Sequence, residues 1–302
     1  MASPLDLVRL TPLMARGAGR PEVTVALIDG FVAVDHPSLT GQRIVVLRGA
    51  GRSEGGGECG RAGGGPSCWH GTFVAGVLSA GRSSVAPGIC PGCTLLVRPV
   101  FAAELPGCRA ARGARVEELA AAILESVEGG ARVLNLSVAP ERPSSVGHRE
   151  LEGALDHAAN RGVIVVVAAG NQGVLGTSAI TRHPWTIPVI AYDRRGRPMN
   201  LSNLGGSIGA RGVGGPGEGI VSLGVGDSPL TITGTSAATP FVAGTVALLM
   251  SEFPSAPATD VRLAVTRAGS SLRRTVVPPL LDAWAAYTTL LAAHRRRSAP
   301  AA

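Results

Sequence analysis

VTVALIDG, residues 23–30, sets an almost unbroken apolar run, Val23–Ile28, directly before a carboxylate and a glycine. A strand with one wet face alternates polar and apolar residues. A continuous run fits a strand buried on both faces of a parallel sheet. Three further runs share this character: Thr94–Val97 with its extension to Phe101, Val133–Leu136 and Val163–Ala168. Helical patterns lie between them, VEELAAAILESV over Val116–Val127 and RELEGALDHAANR over Arg149–Arg161. Strands that alternate with helices predict an α/β fold with a doubly wound, mostly parallel sheet.

In such sheets ligands bind beyond the carboxyl ends of the strands, so the residues that close each run carry the functional signal. The first run closes in Asp29-Gly30, the third contains Asn135, and the fourth leads to Gly170-Asn171. Polar groups are therefore expected along one edge of the sheet. The glycine-rich stretch Gly49–Pro66 reads as a surface loop. Residues Arg194–Gly217 read as a glycine-rich connector after a strand over Pro188–Tyr192, and a short helix is expected over residues 280–294.

At 302 residues and 45% hydrophobic content, the chain can bury a large core. The expected organisation is an N-terminal arm at 1–22, one domain at 23–290 and a disordered basic tail at 291–302. No apolar run reaches the ~18–20 residues of a membrane span, and residues 1–22 lack the charged start and apolar stretch of a secretory signal. The expectation is a cytoplasmic protein that engages no membrane.

The net charge of +7 comes wholly from arginine, since the chain has no lysine. Aromatics at 3% leave little to stack on bases, so the charge reads as a solvated surface with no nucleic-acid partner. The densest cluster, Arg295–Arg297, lies in the tail. Five cysteines, Cys59, Cys68, Cys90, Cys93 and Cys108, cannot all pair within one chain. A local staple or inert thiols, a structural zinc site, and redox chemistry at Cys90-Pro-Gly-Cys93 stay open as readings.

Catalysis by a serine hydroxyl needs a base, an acid that orients the base, and donors for the oxyanion. Asp29 closes a buried strand, where a lone carboxylate is costly. His70 opens HGTFVAGVLSA, whose small residues allow close helix packing. Ser236 lies in GTSAATP, residues 234–240, just ahead of the apolar run FVAGTVALLM, where a helix N-terminus favours developing negative charge. Pro240 is expected in the first helical turn, where no intrahelical bond is lost. Each of the three residues has a plainer reading alone: a strand-end turn, a satisfied histidine, a helix cap. His36, His148, His157, His183 and His294 keep that plainer reading.

Taken together and in this order, VALIDGFVAVDHPSL, HGTFVAGVLSA, VAPG, VVVAAGNQG and GTSAATPFVAGTVALL resemble the subtilisin-like serine proteases, from about Val23 to about Phe253. The resemblance implies a three-layer sandwich with the sheet between helices. It makes Asp29 the orienting acid, His70 the general base, Ser236 the nucleophile and Asn171 the oxyanion donor, assisted by the Ser236 backbone N–H. It also assigns Asn135, Leu136, Ser137, Val138 and Ala139 to pair with substrate backbone, with Ala168, Ala169 and Gly170 across the first specificity pocket. Neither segment is charged, so a neutral or apolar residue is expected on the acyl side of the cut. The family often has glycine where Ala139 and Pro140 stand, which narrows the pocket.

Within that family, LVRPVF, VIAYDRRGRPMNLSNLGG and GVGGPGEGIVS are similar to the cytoplasmic subtilases that process ribosomal peptides, the cyanobactin maturation proteases of the PatA/PatG type. The implied substrate is a ribosomal precursor peptide, and the implied reaction is removal of its leader. About 22 residues before the first strand are too few for a folded propeptide, and no inserted helical lid for macrocyclisation is evident. No metal or other cofactor is expected for catalysis. Structural calcium, for which Asp35 is a possible oxygen ligand, has no set of carboxylates at convincing spacing. Two other functions compete: a degradative subtilase, and a silent scaffold that only binds peptides. Retention of all four residues of the implied machinery argues against the silent scaffold.

Overall fold

The computed structural model describes residues 3–47, 59, 65–100, 114–137, 148–226, 228–267 and 275–298. In chain order the elements are α1 (Pro4–Leu7), α2 (Thr11–Met14), β1 (Thr24–Asp29), β2 (Ile44–Val46), α3 (Pro66–Ser79), β3 (Thr94–Pro99), α4 (Val116–Glu128) and β4 (Val133–Leu136). They continue as α5 (Arg149–Asn160), β5 (Ile164–Ala168), α6 (Ala179–Arg182), β6 (Ile187–Tyr192), α7 (Gly206–Arg211) and β7 (Val213–Pro216). The last are β8 (Ile220–Ser222), β9 (Leu230–Ile232), α8 (Thr235–Glu252), α9 (Ala258–Arg267) and α10 (Ala283–Ser298).

Seven strands form one sheet in the order β2-β3-β1-β4-β5-β6-β7, with every neighbouring pair parallel. The chain crosses from β3 on one side of β1 to β4 on the other, which makes the carboxyl end of β1 the topological switch point. Alternate side chains of each strand feed opposite cores. Val25 and Leu27 join the core under α3 and α8, while Ala26 and Ile28 join the one under α4 and α5. The three-layer α/β architecture is thus built from β1 outwards, and an antiparallel pair, β8-β9, stands apart from the sheet.

Two stretches differ from the sequence reading. Residues 194–217 are more than a connector, because they hold α7 and the edge strand β7. The glycines there serve close packing instead of looseness: a methyl group at Gly214 would lie 2.1 Å from the Tyr192 ring, and one at Gly209 would lie 1.7 Å from the Thr275 carbonyl. The basic tail is helical to Ser298 as part of α10, where the arginines complement the helix C-terminus and Arg297 pairs with Asp260 at 2.5 Å. Within the N-terminal arm, Val8, Leu10 and Leu13 are buried in the main core. The surface loop read over Gly49–Pro66 lies largely outside the described residues, as do Phe101 and Cys108.

Candidate active site

Asp29 ends β1 and is fully buried, with its carboxylate held from two sides. Its Oδ1 accepts from the Gly30 backbone N–H at 2.6 Å and from His70 Nδ1 at 2.7 Å. Its Oδ2 is buried with no hydrogen-bond partner among the described residues. With Nδ1 protonated toward Asp29, the neutral imidazole keeps Nε2 as an acceptor, the tautomer a general base requires. Burial disfavours the imidazolium, but the charge and hydrogen bond of Asp29 outweigh it and raise the His70 pKa above the usual histidine value.

His70 reaches Asp29 because α3 lies almost on the chain that follows β1. The helix starts at Pro66, four residues before His70, so the histidine sits in its second turn instead of at its start. Only glycine fits where the two segments touch. A methyl group at Gly30 would lie 1.8 Å from the Ser67 carbonyl oxygen, and one at Gly71 would lie 2.3 Å from that of Phe31. Cys68, in the first turn of α3, forms a disulfide with Cys59, and both pack with Ala33 just past β1.

Ser236 is the second residue of α8, an 18-residue helix buried along nearly its whole length. Its neighbour Thr235 is fastened to the loop after β5: Asn171 Oδ1 accepts from the Thr235 backbone N–H at 2.9 Å and from Thr235 Oγ1 at 3.0 Å. Thr235 Oγ1 in turn accepts from the Gly170 N–H at 3.2 Å. Gly170 at φ +100 and Gly234 at φ +148 adopt backbone that side chains rarely enter. A methyl group at Gly234 would also lie 2.9 Å from Asn171 Nδ2. Ser137 Oγ donates to the Ser236 carbonyl at 3.3 Å, and Asn135 Nδ2 donates to Ser137 Oγ at 2.8 Å.

The sequence-predicted residues thus gather in two hydrogen-bonded groups at the carboxyl ends of β1, β4 and β5. One holds Asp29 and His70, and the other holds Asn135, Ser137, Gly170, Asn171 and Ser236. Among the described residues no hydrogen bond joins His70 to the Ser236 hydroxyl, a contact that is often long in unliganded sites. Leu136, Ala168 and Ala169 are buried beside these groups, and Val138 and Ala139 lie outside the described residues.

Two residues escape simple motif reading. Thr235 is the link between Asn171 and the N-terminus of α8. Asn203 braces the Asn171 loop, donating to the Ala169 carbonyl at 3.2 Å and accepting from the Gln172 N–H at 3.1 Å. The only signal for Asn203 lay in LSNLGG, read there as part of a broader resemblance. One expectation also fails: Pro240 is the sixth residue of α8, past the first turn, so an intrahelical bond is lost there.

Of the open cysteine readings, the local staple holds for Cys59–Cys68, while Cys90 and Cys93 are buried free thiols. Hydrogen bonding with Cys93 and burial push the Cys90 thiol well up, and the same bond pulls Cys93 down. Among the described residues no three metal-ligating side chains cluster, around this pair or around Asp35. No helix among them is long and apolar enough to cross a membrane.

Comparison with known proteins agrees with this fold. The sequence model of the subtilase family matches residues 20–278. Subtilisin BL of Lederbergia lenta is 30% identical over 261 residues, covering 86% of this chain and 88% of that protein. A thermostable alkaline protease of Halalkalibacterium halodurans is 30% identical over 204 residues, and there the match spans 53% of the relative's length. Among solved structures, a variant of the protease domain of PatA superposes with a TM-score of 0.79 at 29% identity, over 91% of this chain and 97% of that one. The prenylagaramide maturation protease PagA gives 0.79 at 26%, over 93% and 98%.

Proposed function

This chain belongs to the subtilase family of serine endopeptidases, and from that premise we propose that it cuts a precursor peptide through Asp29, His70 and Ser236. The observation that carries the reading is the 2.7 Å contact between buried Asp29 and His70 Nδ1, at the same sheet edge as the N-terminus of α8. His70 Nε2 takes the Ser236 Oγ proton as the oxygen attacks the scissile carbonyl. The oxyanion is met by the Asn171 side-chain amide and the Ser236 N–H, where the helix dipole adds to the stabilisation. Collapse passes the proton from His70 to the leaving amine and leaves an acyl-enzyme. Water, deprotonated by the same imidazole, then releases the acid. No step needs a metal ion or other cofactor.

Asn135 and Leu136 lie inside β4 with β1 and β5 paired on either side, so they have no backbone edge left for a substrate. Substrate backbone pairs along Ser137–Ala139 instead, opposite Ala168–Gly170, and the uncharged walls favour a neutral or apolar residue on the acyl side of the cut. Leader removal from a ribosomal precursor peptide is supported by the likeness to PatA and to PagA, a maturation protease, and by the resemblance carried in VIAYDRRGRPMNLSNLGG and GVGGPGEGIVS. A cytoplasmic setting belongs to the same reading. The Cys59–Cys68 disulfide weighs against it, because reducing compartments keep such pairs as thiols.

Labelling by a fluorophosphonate tests the chemistry. The adduct is expected on Ser236 and is expected to vanish in Ser236→Ala and His70→Ala. Cleavage of a leader-bearing peptide at one bond, with casein left largely intact, supports the maturation role. Equal cleavage of both makes the enzyme degradative.

A further inference from the structure

Ser236 is a residue whose carbonyl loses its regular donor in its own helix. In an α-helix the carbonyl of residue i accepts from the N–H of residue i+4. For Ser236 that residue is Pro240, which has no N–H. A buried carbonyl without a donor is costly, so a replacement is required. It comes from across the site: Ser137 Oγ donates to the Ser236 carbonyl at 3.3 Å.

A hydroxyl can rotate, and what directs this one is Asn135. Asn135 Nδ2 donates to Ser137 Oγ at 2.8 Å, which occupies a lone pair and turns the single O–H of Ser137 toward Ser236. Asn135 is itself rigid, since it lies in β4 between β1 and β5, paired with Leu27 and Val166. Asn135 is fully buried and Ser137 nearly so, so these two side chains reach Ser236 from beneath the site.

We propose that Asn135, Ser137 and Pro240 act together as a positioning device for the nucleophile, with Pro240 releasing the Ser236 carbonyl from α8 and Ser137 tying it to the sheet. The proposal rests on the reading of Ser236 as the nucleophile. Its consequence is that both halves of the site take their position from adjacent strands. Asp29 ends β1, Asn135 lies on β4, and these two strands pair directly. The alignment of base and nucleophile is then set by sheet geometry, one of the stiffest references in the fold.

The test is a cycle of Ser137→Ala, Pro240→Ala and the double variant, read as the acylation rate at saturating fluorophosphonate and as kcat and KM on a peptide ester. Ser137→Ala is expected to lower acylation by about 10–100-fold, the scale of a small misplacement of a reacting group, with KM little changed. Pro240→Ala restores an N–H donor to the Ser236 carbonyl. The double variant is therefore expected to recover about 5-fold or more over Ser137→Ala alone, and Ser137→Thr to stay near wild type. A purely structural loss would lower active fraction and melting temperature without this recovery. Wild-type acylation by Ser137→Ala, or an equal loss with proline or alanine at 240, overturns the proposal while leaving the peptidase reading intact. Failure of the wild type itself to react overturns the peptidase reading and this proposal with it.

Discussion

His70 Nδ1 stands 2.7 Å from Asp29 Oδ1, between a carboxylate with no exposure and an imidazole whose side chain is 26% exposed. Burial alone would lower the histidine pKa, yet the charge and hydrogen bond of Asp29 leave it raised. A general base must be neutral, so activity is lost as pH falls through a midpoint above the ordinary ~6.5. Asp29→Asn removes the raising interaction and leaves the burial. Its acid limb is expected to move to lower pH, with kcat down by about 10⁴ from loss of the orienting acceptor. The linkage has the opposite sense for stability: the raised pKa stabilises the fold fully below ~6.5 and ceases to do so as pH rises through the folded value. A pH profile of kcat/KM for both proteins checks the shift, and a flat profile from pH ~5 to 8 contradicts the role of His70.

Gly30→Ala is expected to disable the site through packing alone. Its methyl group would meet the Ser67 carbonyl at 1.8 Å, and a backbone atom in the first turn of α3 cannot swing aside as a side-chain end could. The strain is expected to cost about 1–3 kcal/mol or more. Because the Gly30 N–H also holds Asp29 Oδ1, activity should fall further than stability predicts. Thermal unfolding together with probe labelling separates the two effects, and a variant with wild-type melting and labelling refutes the close approach.

The parts of this fold that were legible in sequence are those decided by local pattern. Val133–Leu136 was read to the residue and Ile164–Ala168 within one, because strands buried on both faces need continuous apolar runs. The placing of Asp29 at a strand end and of His70 and Ser236 in helices of small residues is legible in the same way, whereas the roles proposed for them come from the resemblance and not from local pattern. Edge strand β7 is hidden, since VGGP has no β pattern; it is a strand through its pairing with β6, and its glycines leave room for Tyr192 and Ala238. Thr235 and Asn203 were hidden for a similar reason. Their roles depend on partners 64 and 31 positions away, which no window of sequence contains.

Asn171 has two separable duties, and two substitutions tell them apart. Its Oδ1 holds the N–H and hydroxyl of Thr235, while its amide is the proposed oxyanion donor. Asn171→Ala loses both and is expected to cost about 10²–10³ in kcat. It also leaves the Thr235 N–H unpaired, at about 1–3 kcal/mol of stability. Asn171→Asp keeps the acceptor, so its melting temperature should stay nearer wild type. It still loses the donor and places negative charge beside a developing anion, so its kcat is expected to be at least as low. Substantial kcat in Asn171→Asp would remove Asn171 from the oxyanion role.

The Cys59–Cys68 disulfide ties residue 59 to the first turn of α3, two residues before His70, with a sequence separation of nine between its cysteines. Closing a loop of that length restricts the unfolded chain by roughly 2–3 kcal/mol. In the native state the bridge also backs the turn against which Gly30 packs, so its loss should loosen the Asp29–His70 contact as well as lower stability. A reductant strong enough to open the bond is therefore expected to lower both melting temperature and labelling of Ser236. The Cys59→Ser, Cys68→Ser double variant should start at the reduced values and ignore the reductant. If the wild type keeps full labelling after mass spectrometry shows both thiols free, the bridge serves only stability, and the objection that it raises to a cytoplasmic setting loses its force.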